Sequence, residues 1–93
     1  MRIDFTEFEP GDEHAAAFAA WIKLNPEGYV LHANSHASPF GMLHLGGCAH
    51  WDGTDPRYAP GIARKICTTT KFMMNSWVAE NLAGEPVNCP DCL

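Results

Sequence analysis

Apolar positions along the chain fall into two stretches of helical period and several short stretches that alternate. Arg2 to Phe8 alternate weakly, Ile3 and Phe5 against Asp4 and Thr6, and predict an edge strand. Pro10-Gly11 turns the chain, and Asp12 is then placed to cap a helix, with Glu13 favoured in its first turn by the helix dipole. Ala15, Phe18, Trp21 and Ile22 recur at helical spacing, so this helix carries an apolar stripe to bury. Asn25-Pro26 ends it, because proline disfavours helical geometry in the residue before it.

Gly28 opens a second strand, Tyr29 to Asn34, with Tyr29, Leu31 and Ala33 on one face. A loop from Ser35 to Phe40 leads into Met42 to Leu45, a strand with Leu43 and Leu45 inward, and the two are predicted to pair as a hairpin. In that register His32 and His44 lie opposite the leucines, on the polar face, and can meet across the hairpin. Gly46-Gly47 places Cys48 just past the strand. The Gly-, Pro- and Asp-containing stretch Trp51 to Gly61 reads as a loop. Lys65 to Thr68 predicts a short third strand that brings Cys67 back towards Cys48. One of Thr68, Thr69 and Thr70 caps a second helix running to about Ala83, with Met74, Trp77, Val78 and Leu82 inward and Gly84 stopping it. A tight turn bearing Cys89 and Cys92 completes the tail. The pattern predicts one α+β domain spanning residues 1–93, a small antiparallel sheet with two helices.

Composition sharpens this picture in two ways. A hydrophobic fraction of 46% excludes a disordered chain, yet 93 residues supply only a thin core. Domains of this size commonly recruit a metal, a disulfide or a partner. The formal net charge of −5 repels polyanions overall. Even so, Arg57, Arg64, Lys65 and Lys71 occupy a stretch free of acidic residues, which reads as a solvated face or as a basic patch. The opening MRIDFTEFEPGDE is acidic and lacks an apolar core, unlike a targeting peptide, and no apolar run approaches the roughly 18 residues that span a bilayer. A cytoplasmic setting without a membrane partner is expected, where cysteines serve metal or redox chemistry rather than disulfides.

All the cysteines fall in one pattern, C-x18-C-x21-C-x2-C, formed by Cys48, Cys67, Cys89 and Cys92. Zinc takes four tetrahedral ligands of sulfur or imidazole, and a C-x2-C turn offers two thiolates from one backbone bend. A structural Zn2+ on these four cysteines is the expectation. A redox C-x2-C normally opens a helix after a strand, whereas none follows here. Paired disulfides would suit an exported chain, and buried free cysteine is common as a small hydrophobe. His44 and His50 flank Cys48 and are alternative ligands. His32, His44 and His36 can be drawn together as a hydrolytic metal site, although no carboxylate stands at a telling spacing to act as base.

The run LHLGGC, then RKIC, Trp77 and CPDC resembles a family of small bacterial zinc-binding domains of uncharacterised activity. Its pattern is a Gly-Tyr-Val-Leu strand, LH-x3-C, K-x-C, a helical tryptophan and a terminal C-x2-C. Here these are Gly28 to Leu31, Leu43-His44 with Cys48, Lys65 with Cys67, Trp77, and Cys89 with Cys92. The resemblance implies a zinc site and gives His44, but not His50, a place in the pattern. It supplies no reaction.

Three functions are then open. A non-catalytic zinc module would contact a protein partner, with Trp51, Tyr58 and Phe40 as loop anchors. A nucleic-acid-binding domain would use Arg57, Arg64, Lys65 and Lys71, with His44 or Trp51 near the reading surface. A small metallohydrolase would use His32 and His44.

Overall fold

The computed structural model describes residues 5–9, 11–33, 41–52, 64–82, 86–90 and 92–93, with all their side chains except those of Asp12, Ala33, His50 and Asp52. Expectations for residues 2–4, for the loop 35–40 with His36 and Phe40, for Arg57 and Tyr58, and for Gly84 lie outside the described residues.

Two helices and a five-stranded, mostly antiparallel open sheet make up the fold, which is α+β as the pattern predicts. In chain order these are β1 (Thr6–Phe8), α1 (Asp12–Leu24), β2 (Tyr29–Ala33), β3 (Gly41–Leu45), a 3-10 turn (Ala49–Asp52), β4 (Arg64–Thr68), α2 (Lys71–Asn81) and β5 (Val87–Asn88). Strand order is β1-β4-β2-β3-β5, and among the described residues only the β3–β5 pairing is parallel. The predicted hairpin is present, with Tyr29 opposite Leu45 and Leu31 opposite Leu43. β4 does not join that hairpin on the β3 side. It pairs with the other edge of β2, setting Cys67 opposite Val30 and Lys65 opposite His32.

Helix boundaries follow local chemistry. α1 starts at Asp12, one residue earlier than a cap at Asp12 would allow, and Gly11 takes the N-cap position at φ 138° without a side-chain cap bond. That φ lies in the region only glycine enters freely, so the turn suits Gly11. At the other end the Asn25 backbone and side-chain amides both donate to the Trp21 carbonyl at 2.9 Å, and Pro26 forbids a further turn. In α2 the capping threonine is Thr70, whose hydroxyl accepts from the Met73 amide at 3.2 Å. This helix closes at Leu82, where the backbone amide bonds back to Val78.

Both faces of the sheet are covered. Residues opposite one another in an antiparallel ladder share a face. One face therefore carries Val30, His32, Met42, His44, Lys65 and Cys67. Here Phe18 of α1, with Trp21 and Ile22, packs in a core with Val30, Cys67, Trp51, Cys48 and Cys89. On the opposite face Met74 and Trp77 of α2 pack against Leu31, Leu43 and Ile66. The double cover corrects the polar face expected for the histidines: His32 is 4% exposed and His44 is fully buried. Alternation of leucine with histidine reads as one wet face only until a second helix arrives to cover it.

Candidate metal centre

The centre forms where β3 ends beside β5. His44 occupies the penultimate position of β3, and Gly46-Gly47 then turns the chain sharply enough to return Cys48 to the strand end, where its amide donates to the Leu45 carbonyl at 3.0 Å. The turn rests on the end of α1: the Gly46 amide donates to Gly28 at 2.8 Å and the Gly47 amide to Pro26 at 2.9 Å. A Cβ at Gly46 would run into the Asn25 carbonyl oxygen, so this position needs glycine for close approach rather than for an unusual φ. From the other side β5 lies parallel to β3, the Cys89 amide donates to the Leu43 carbonyl at 2.9 Å, and the Cys89–Cys92 turn delivers two more thiols.

His44, Cys48, Cys89 and Cys92 each contribute one donor atom, and those atoms lie within 4.8 Å of one another. His44, Cys48 and Cys89 are buried and Cys92 is half-buried. The Cys48 and Cys89 Sγ atoms are 3.8 Å apart. A disulfide would require about 2.05 Å. A tetrahedron with zinc–sulfur arms of about 2.3 Å has an edge of about 3.8 Å. Sulfur spacing therefore fits two thiolates on one ion rather than a covalent pair, and none of the four cysteines is in a disulfide. The Leu45 amide also donates to Cys92 Sγ at 3.3 Å, a bond that favours sulfur as a thiolate.

At Cys92 the electrostatics oppose ionisation. Burial raises the Cys92 thiol above its ordinary value; the Leu45 amide and Cys48 pull it down, and neighbouring Cys89 pushes it up again. Three thiolates at this spacing repel strongly in a buried setting, and a divalent cation is the natural compensation.

Cys67 is not drawn into this group. Cys67, Val30 and His44 form one row across β4, β2 and β3, which puts Cys67 two strand spacings, roughly 9.5 Å, from the histidine strand. Cys67 sits in the apolar core instead, where burial pushes its thiol up to about 12, against a smaller opposing pull from Lys65. His50 lies in the 3-10 turn after Cys48, and its side chain falls outside the described set.

Around the His44 imidazole stands an aromatic wall. Trp51 packs edge-on against His44 with ring centroids 4.8 Å apart, and against Phe18 at 5.1 Å. Its indole N–H donates to the Leu45 carbonyl at 3.0 Å, which allows so large a polar ring to be buried. Trp51 is thus core, not the exposed loop anchor expected from its surroundings in the sequence. His32 stands 6.3 Å from the His44 ring, outside the donor group. Burial, and secondarily the charge of Lys65, lowers its pKa to about 4.

Of the expected nucleic-acid residues, the described Arg64, Lys65 and Lys71 do not form one exposed surface. Lys65 is 1% exposed, with its ammonium 5.1 Å from the Phe18 ring, and burial lowers its pKa. Arg64 is half-buried with its guanidinium over Trp77, and Lys71 is exposed at the start of α2. The sequence signal missed here was parity: Lys65 and Cys67 share a strand face, so a buried Cys67 implies a buried Lys65. No helix among the described residues is long and apolar enough to cross a membrane. No protein-family model, curated protein or solved structure matches the chain.

Proposed function

We propose that this chain is a non-catalytic zinc module of the cytoplasm, in which one structural Zn2+ held by His44, Cys48, Cys89 and Cys92 fixes a surface for a protein partner. The observation that carries the metal reading is the convergence of four donors within 4.8 Å, two of them sulfurs at the edge length of a zinc tetrahedron. Four protein donors complete zinc's preferred shell, leaving no position for a water nucleophile, as in structural rather than catalytic sites. Zinc is favoured over other ions because three thiolates and an imidazole make a soft, tetrahedral set. The LH-x3-C and C-x2-C elements of the resemblance supply all four of these donors, which supports a place among small bacterial zinc-binding domains.

Recognition of a protein is supported by the net charge of −5 together with exposed Phe72 and Val87. Elemental analysis of protein purified without added metal tests the centre. One zinc per chain is expected, lost in Cys48→Ser and Cys89→Ser. Metal-free protein with an unchanged melting curve would overturn the reading.

A further inference from the structure

The donors of the centre are unequal in access. Cys48 and Cys89 are buried, whereas Cys92 is half-buried on the short segment after β5, whose own two residues are exposed. Cys92 sulfur lies within 4.8 Å of both buried thiols and accepts from the Leu45 amide at 3.3 Å. It is therefore the sulfur an external reagent meets first, with two resolving thiols already beside it.

From this geometry we infer that Cys92 is a peroxide modification site whose oxidation opens the metal centre, an inference that rests on the zinc reading above. The Cys92 thiolate attacks hydrogen peroxide: an S–O bond forms, the O–O bond breaks, and the departing hydroxide takes a proton to become water. Sulfur is oxidised to sulfenic acid and the peroxide oxygens are reduced. The thiolate of Cys48 or Cys89 then attacks that sulfur; an S–S bond forms, the S–O bond breaks, and the second hydroxide leaves as water after taking a second proton. Overall, two thiolates, one peroxide and two protons give a disulfide and two waters. Two of the four donors are consumed, so the ion loses half its shell. Contraction of a sulfur pair from about 3.8 Å to about 2.05 Å removes the space for the cation as well as the charge that held it. A dithiol reductant reverses the step.

The experiment begins with zinc stoichiometry of the untreated, reduced protein. Absence of zinc there overturns the centre itself, and this inference with it; zinc present isolates the redox claim. Zinc-loaded protein is then exposed to hydrogen peroxide in the presence of a chromogenic zinc chelator, quenched by alkylation and mapped by peptide mass spectrometry, with a parallel sample containing dimedone. Release of one zinc per chain, a dimedone adduct on Cys92, and a disulfide joining Cys92 to Cys48 or Cys89 are expected, with zinc rebinding after dithiothreitol. Retention of zinc under excess peroxide, or release with Cys92 still alkylatable, overturns the inference. Cys92→His keeps a donor but removes the oxidisable sulfur, so release should slow by about tenfold or more. An unchanged rate in that variant also overturns it, and if the variant holds no ion the wild-type peptide map decides alone.

Discussion

Three hydrogen bonds meet on the peptide groups of Leu45: its amide donates to Cys92 Sγ, and its carbonyl accepts from the Cys48 amide and the Trp51 indole. Each bond holds a group at or against the centre, so the ligands are positioned by backbone that side-chain replacement cannot easily disturb. The ligands themselves are another matter. His44→Ala should weaken zinc binding by about 100-fold or more, measured by competition with a chromogenic chelator, because it removes a donor from a buried shell. Cys67→Ala should leave zinc stoichiometry at one per chain and cost about 1–2 kcal/mol in denaturant unfolding, since it only trims the apolar core. Loss of zinc in Cys67→Ala would show that Cys67 is a ligand after all. His32 adds a pH dependence. Its folded-state pKa of about 4 lies below the ordinary 6.5, so between those values the unfolded chain binds a proton that the folded chain refuses. Stability from this residue is present above pH 6.5 and declines as pH falls towards 4. The melting temperature of His32→Phe should fall less steeply across that window than that of the wild type, and parallel curves would remove His32 from the account.

At the scale of elements, helices were the more legible part. Apolar spacing, Asn25-Pro26 and the threonine run located α1 and α2, because those signals act within a few residues along the chain. Thr70→Ala should cost about 1 kcal/mol through its lost cap, read from the shift in denaturant midpoint. β5 carried no such signal. Two exposed residues have no periodicity, and Val87–Asn88 becomes a strand only because β3 offers a free edge beside it. The turn after β3 is bonded to the connection between α1 and β2. Gly46→Ala would drive a Cβ into the Asn25 carbonyl, so it should lower both stability and zinc affinity together. A stable Gly46→Ala protein with normal zinc affinity would mean that α1 and the centre are uncoupled.

For the whole molecule, an ion held by these donors would join β3, the Cys48 turn and the segment after β5. Zinc binding in small domains supplies on the order of 10 kcal/mol at neutral pH, as much as the whole stability margin of an ordinary domain. Chelation should therefore lower the melting temperature sharply or unfold the chain, followed by circular dichroism with and without chelator. Because cysteines bind zinc as thiolates and burial raises the Cys92 thiol, reloading should release protons in weakly buffered solution. What the sequence determined by itself was the inventory: α+β elements set by apolar period, and a cysteine–histidine set able to hold zinc. Which donors lie together was decided by strand order. Inserting β4 between β1 and β2 carries Cys67 away, and laying β5 along β3 brings Cys89 and Cys92 to His44. Strand order is set by which faces bury together over long separations, and local spacing along a chain holds no record of that.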